Sequence, residues 1–245
     1  MNKKPSFVFF GSSSFSTYVL DALKSRGLEP IFSITSSREP LPIEKLKEIN
    51  TDVFIVASFG KILPKEVIDM PKYKTLNVHP SLLPRLRGPA PIQEAIIGEK
   101  ETGVTIIQLD EQMDHGPIVV EKKVSFDNWP VSYTRAEEKL GTEGGLLLAD
   151  VLEPWVNGKI QAVSQDESLA TYTKLIKKQD ADITNDAPEI AYRKVLAYEV
   201  WPRARMGDLI ITAAHLADNV LVIDRVIPPG KKEMNYQDYL RGRLV

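Results

Sequence analysis

Short apolar runs alternate with helically spaced segments through the first hundred residues. Ser6 to Phe10 is an apolar run stopped by Gly11, and Phe15 to Lys24 then sets Val19, Leu20 and Leu23 at helical spacing. Pro30 to Thr35 predicts a second strand. Leu46 to Ile49 predicts the end of a short helix, and Val53 to Ala57 a fully buried strand. A helical turn at Val67 to Met70 precedes a strand at Thr75 to Val78. Ala90 to Ile97 predicts a helix opened by Pro89 and Pro91 and closed by Gly98. Strand and helix in alternation predict an α/β, Rossmann-like fold, with a parallel sheet covered by helices on both faces.

The pattern then changes. Val104 to Leu109 and Ile118 to Val124 predict two strands with no helix between them. Tyr133 to Val156 is apolar at helical spacing and predicts one long helix, in which Gly141, Gly144 and Gly145 signal close packing. The polar stretch Asn157 to Ser168 reads as a boundary, dividing the chain into residues 1–168 and 169–245. Beyond it lie a helix from Pro188 to Tyr198, strands at Leu209 to Ala213 and Val220 to Ile223, and a turn at Pro228 to Lys232.

Composition narrows the chemistry. With 43% hydrophobic residues in 245, the chain can build a real core. It has no cysteine, which removes disulfides, thiolate metal sites and thiol nucleophiles together and fits a reducing compartment. No run approaches the ~20 apolar residues of a membrane span, and no apolar signal segment follows Met1 to Pro5. A cytoplasmic protein is expected. Its 31 basic and 33 acidic residues give no global nucleic-acid signature; from Thr171 onward 12 basic residues face 10 acidic ones, a slight lean toward anions.

Asn77 and His79 lie at the end of a predicted strand, where α/β sheets bind ligands, and two residues apart they point to one side. Asp114 lies in the loop between the next two strands. An amide can donate to an oxyanion, an imidazole can move protons, and a carboxylate can orient and balance the imidazole. The alternative reading of the first two is a turn-capping asparagine and a packed histidine. Ser81 lacks the Gly-x-Ser-x-Gly elbow of a hydrolase nucleophile. His115 reads as a surface residue, and His215 as structural or exposed. The histidines have no metal-ligand spacing, so no metal is expected, and the lone Gly11 is no dinucleotide fingerprint.

Several segments together resemble the formyltransferase family that uses 10-formyltetrahydrofolate. They are Phe59-Gly-Lys-Ile-Leu-Pro-Lys-Glu-Val-Ile68, the run from Asn77-Val-His-Pro through Gly88-Pro-Ala-Pro-Ile-Gln93, Glu101-Thr-Gly-Val-Thr105 and Met113-Asp-His-Gly-Pro117. Ala170 to Leu175, Trp201-Pro202 and Gly230 to Gly242 add to them, the last resembling the end of a tRNA-binding C-terminal domain. The Gly-Pro-Ala-Pro-Ile-Gln and Glu-Thr-Gly-Val-Thr pieces favour the branch whose acceptor is methionyl-tRNA over the one acting on glycinamide ribonucleotide. The resemblance implies Asn77, His79 and Asp114 as catalytic residues and 10-formyltetrahydrofolate as formyl donor. It places the folate beside Phe59, Gly60, Ile62, Leu63, Pro64, Ser81, Leu82, Leu83, Pro84, Gln112 and Met113. Ile62 and Leu63 would form an apolar wall for the pterin, or else be ordinary core residues.

Relative to that family the chain is short between Thr35 and Asp52, and its C-terminal part is expected to be a small, reduced, OB-like β domain acting on tRNA as part of a monomer. Lys61, Arg85, Arg87, Arg203, Arg205, Lys231, Lys232, Arg241 and Arg243 could meet phosphates, although a solvated surface charge is the plainer reading of each. The rival readings are a sugar-nucleotide amine formyltransferase using the same donor, and a non-catalytic folate- or RNA-binding protein.

Overall fold

The computed structural model describes residues 4–242. In chain order its elements are β1 (Phe7–Phe10), α1 (Ser14–Ser25), β2 (Phe32–Ile34), α2 (Ile43–Glu48), β3 (Val53–Val56), α3 (Lys65–Ile68), β4 (Thr75–His79), α4 (Pro91–Gly98), β5 (Thr102–Gln108), β6 (Ile118–Val124), α5 (Tyr133–Val156), α6 (Pro188–Ala197), β7 (Arg205–Met206), β8 (Leu209–Ala217), β9 (Val220–Ile227), β10 (Met234–Asn235) and α7 (Tyr236–Arg241). They fall into two compact units. The first holds the described residues up to Gly88, then Glu101–Ser125 and Glu137–Thr173. The second holds Pro89–Lys100, Phe126–Ala136 and the described residues from Lys174 onward.

The first unit is built on a six-stranded sheet in the order β2-β1-β3-β4-β5-β6. β2, β1, β3 and β4 are parallel, and β5 and β6 are antiparallel additions. The change of direction is why no helix separates β5 from β6: antiparallel neighbours need only a loop. β1 and β3 are buried at every position, as strands covered on both faces must be. One face of the sheet packs Phe10, Phe54, Phe59, Leu46, Leu63 and Val67 into a core. α1 begins at a reciprocal cap, in which the Ser13 side chain accepts from the Ser16 amide and the Ser16 hydroxyl accepts from the Ser13 amide.

The glycines of α5 do what their clustering predicted. A Cβ at Gly145 would lie 2.5 Å from the Val19 carbonyl oxygen and 2.6 Å from the Ala22 Cβ of α1. One at Gly144 would lie 2.6 Å from Val78 of β4. Only hydrogen side chains let α5 approach this closely, and the contact at Val78 bears on the strand that carries the site.

In the second unit β10-β9-β8-β7 form an antiparallel sheet over a core of Ile183, Ala191, Val195, Ala204, Ile211 and Val226. This is a small β domain, as expected. Its strands run in open order, and among the described residues none pairs to close them into a barrel. β8 and β9 extend beyond their predicted ends to a tight hairpin in which Asp218 and Asn219 have φ of 50° and 61°. Both central residues of such a turn need positive φ, which Asp and Asn tolerate. The Pro228 turn is present, closed by the Lys231 amide donating to the Pro228 carbonyl at 3.1 Å. Among the described residues no helix is long and apolar enough to cross a membrane.

Candidate active site

β4 delivers Asn77 and His79, both buried. Asn77 stands opposite Val56 of β3 and Ile107 of β5, and His79 opposite Thr105 of β5. The strand stops at His79 because Pro80 has no amide proton to continue the ladder. Thr105 then fixes the loop that follows. Its hydroxyl donates to the Ser81 carbonyl at 2.7 Å and accepts from the Leu83 amide at 3.1 Å. The Ser81 hydroxyl donates to the Arg85 carbonyl at 2.7 Å, so it is a loop fastener buried to 1% exposure and no nucleophile.

The loop turns back until the Leu86 carbonyl lies 3.0 Å from Nε2 of His79. A carbonyl can only accept, so Nε2 carries a proton in either state of the ring. A second proton must then sit on Nδ1, which lies 3.4 Å from Oδ1 of Asp114. Asp114 has a left-handed backbone, φ 53°, and its Oδ2 accepts from the Gly88 amide at 2.8 Å. Burial, the largest single influence on His79, disfavours its charge. The charge and hydrogen bond of Asp114 and the Leu86 carbonyl outweigh burial and hold the imidazole above its usual pKa. Burial likewise pushes Asp114 up, but His79, the Gly88 amide and the charge of Arg87 outweigh it and hold the carboxyl below its usual range. Both directions favour the charged pair, imidazolium against carboxylate.

Behind this pair lies a network that sequence reasoning did not assemble. Arg87 is 1% exposed and correctly placed neither as a phosphate contact nor as a solvated charge. Its guanidinium donates to Glu167 at 2.6 and 3.0 Å, to Tyr172 Oη at 3.1 Å, and to Oε1 of Gln165 at 2.8 and 3.1 Å. The Gln165 amide nitrogen donates in turn to the carbonyls of Asp114, at 2.8 Å, and Gly116, at 2.7 Å. His115 is half-buried rather than a free surface residue. It lies between Asp110 Oδ2 at 2.6 Å and Glu167 Oε1 at 3.6 Å. His215 is exposed and pairs with Asp224 at 2.9 Å. Gln165 sits in the polar stretch that read as a boundary, where no periodicity or spacing marks it. The stretch is fastened to the first unit by the bridge of Val163 to Ile118, and just beyond it Tyr172 is bridged to Arg87.

The expected folate residues divide by burial. Phe59 and Leu63 are in the core, Phe59 edge-on to Phe10 at 5.6 Å, so Leu63 is an ordinary core residue and not a free wall. Ile62 is 78% exposed and Met113 55% exposed. Gly60 has φ 72°, and Pro64 leads into α3. Leu83 is buried, Leu82 and Pro84 are half-buried, and Gln112 is exposed. The two expected loop segments are neighbours: Lys65 bridges Asp69 and Glu111, each at 3.1 Å. Beside that bridge is a cavity of about 490 Å³ lined by Lys65, Asp69, Lys74, Gln108, Glu111 and Gln112; it takes in Gln112 but none of Asn77, His79 and Asp114. Exposed Ile62 and Met113 with nearby loop backbone give the chemistry a flat heterocycle needs, apolar surface beside polar edges. Of the nine basic residues, Lys61 donates to the Glu39 carbonyl at 2.6 Å, and Arg243 lies outside the described residues.

The formyl transferase family profile matches residues 12–152. A methionyl-tRNA formyltransferase of Ehrlichia ruminantium (strain Gardel) is 44% identical over 162 residues, 66% of this chain and 52% of its own length. One from Thermotoga neapolitana is 38% identical over 265 residues, 96% of this chain and 84% of its own. The chain thus spans about half the length of the first relative. The second alignment is longer than the chain's 245 residues, so some of the relative's positions have no counterpart within the matched region. Among solved structures, the methionyl-tRNA formyltransferase from Clostridium thermocellum has a TM-score of 0.69 at 20% identity, covering 94% of this chain and 99% of that one.

Proposed function

This chain belongs to the formyl transferase family, and on that premise we propose that it moves the formyl group of 10-formyltetrahydrofolate to the α-amine of initiator methionyl-tRNA, in translation initiation. The observation that carries the reading is the buried His79–Asp114 ion pair beside Asn77 at the end of β4. A binding protein has no need to hold a charged imidazole in its interior, where burial works against it. The acceptor is read from the two relatives that bear that name.

In this mechanism the neutral amine attacks the formyl carbon, and the carbonyl oxygen becomes an oxyanion. The Asn77 amide donates to it. The Nε2 proton of His79 already points at the neutral Leu86 carbonyl. An oxyanion arriving there shares or replaces that acceptor, and a charge-assisted bond is about twice as strong as a neutral one. Asp114 keeps the ring protonated on Nδ1 and takes part in moving the amine's proton toward the departing folate nitrogen. A free α-amine has a pKa of roughly 7.7–8.0, so supplying its neutral form costs little. Holding donor and acceptor together supplies much of the remaining rate.

Residues 1–168 carry the chemistry in this reading, and residues 169–245 meet the tRNA. The folate lies against Ile62, Met113 and the backbone of the Gly60 and Gln112 loops. The enzyme acts as a monomer in the cytoplasm, where charged tRNA is found. The test is a comparison of acceptors at fixed 10-formyltetrahydrofolate. Transfer to charged initiator tRNA but not to amino-sugar nucleotides supports it; the opposite preference replaces it with sugar formylation, and folate binding without transfer to either replaces it with a binding role.

A further inference from the structure

We propose that Gln165 is a positioning residue for the proposed formyl transfer: it sets the place of Asp114 against His79 and ties that place to the loop holding the other side of the ring. The inference rests on the functional reading above for its kinetic test, but its geometry stands alone. Gln165 is buried, and the four hydrogen bonds of its side chain have directions fixed by chemistry. Arginine only donates, so the side-chain oxygen must face Arg87; the amide nitrogen must then face the two carbonyls. This sets the orientation of the amide without ambiguity.

Each end of that amide holds a segment that supplies the acceptor for a different nitrogen of the imidazole. The nitrogen holds the carbonyls of Asp114 and Gly116, the flanks of a turn whose first residue has φ 53°. An aspartate tolerates left-handed backbone, and the two bonds from Gln165 fix where this turn sits. The oxygen holds Arg87, which follows directly on Leu86, the acceptor for His79 Nε2. The chain just after Gln165 also grips this loop: Thr171 accepts from the amides of Leu86, through its hydroxyl, and Arg87, through its carbonyl, and the Thr173 amide donates to the Arg87 carbonyl. One amide therefore spans the acceptors of both ring nitrogens.

The test uses Gln165→Met, which keeps volume and loses every hydrogen bond, and Gln165→Glu, which keeps the oxygen that accepts both Arg87 bonds and loses the nitrogen that donates to Asp114 and Gly116. Nitrogen NMR of the His79 ring is followed with pH in the whole protein, alongside kcat and KM for formyl transfer. The proposal expects Gln165→Met to lower the pKa of His79 as Asp114 drifts. Both variants should lose about 10–100-fold in kcat with KM for the folate nearly unchanged. A residue that only stabilises the fold would lower the unfolding temperature and leave the His79 titration and kcat of the folded fraction as in the native protein; that result overturns the proposal. If Gln165→Met does not fold, Gln165→Glu decides through its kcat, since its Arg87 anchor is intact. If the native protein transfers no formyl group, the functional reading falls, and the His79 titration still decides the role of Gln165.

Discussion

Nε2 of His79 donates to the carbonyl of Leu86 at 3.0 Å, while Leu86 itself sits at a φ of 62°. A bulky residue in left-handed backbone carries a carbonyl that fixes the tautomer of the central histidine. Leu86→Gly removes about 1–2 kcal/mol of steric cost and adds unfolded-state entropy of about 0.4–1 kcal/mol. Stability should therefore range from unchanged to about 1.6 kcal/mol higher than in the native protein, with transfer retained. Leu86→Pro cannot reach positive φ and loses the amide that donates to Thr171 Oγ1 at 2.8 Å. It should lose about 3 kcal/mol or more and formyl transfer with it. Urea unfolding of both variants checks the contrast, and equal stability would show that the loop does not need this backbone.

The His79–Asp114 pair makes stability depend on pH from two sides. His79 is raised above its usual 6.5, so its contribution is complete below 6.5 and is lost as pH rises through the raised value. Asp114 is lowered below its usual 3.8, so its contribution is complete above 3.8 and is lost as pH falls through the lowered value. The stability difference between native protein and Asp114→Asn should be greatest between those two values. It should shrink on either side in unfolding curves taken across pH. The variant should also lose about 10²–10⁴-fold in kcat, the usual worth of positioned acid–base groups. A difference that is flat with pH would mean that the pair is not ionised.

Gly145 offers a sign test of the packing of α5 on α1. In an isolated helix Gly→Ala stabilises by about 1 kcal/mol. Here the new methyl would meet the Val19 carbonyl oxygen at 2.5 Å, a backbone atom of α1 that cannot swing aside. Gly145→Ala should destabilise by about 1–3 kcal/mol through overpacking, read as a lower unfolding midpoint. A raised midpoint would mean that α5 and α1 stand further apart.

The parts legible in the sequence were those carried by local pattern. Continuous apolar runs gave β1 and β3, and the two-residue spacing put Asn77 and His79 on one side of β4. The glycines of α5 announced a close neighbour without naming it. What stayed hidden depends on contacts between distant segments. Gln165 bonds Asp114 across 51 positions and Arg87 across 78, and its polar surroundings looked like a linker because the groups that satisfy them lie elsewhere in the chain. Arg87 looked like a surface cation for the same reason: nothing adjacent in sequence could bury it. Leu63 read equally well as ligand wall or core, and packing against the aromatic cluster of Phe10, Phe54 and Phe59 decided for core.

The most direct measurement is the rate of formyl transfer from 10-formyltetrahydrofolate to charged initiator methionyl-tRNA, with Asn77→Ala and Asp114→Ala beside the native protein. Rapid transfer by the native chain is the expected result. Each variant should fall by about 10²-fold or more, as loss of an oxyanion donor or of a positioned acid–base group requires. Native-like rates in both variants, with the folate still bound, would contradict the assignment of Asn77, His79 and Asp114 as the reacting site.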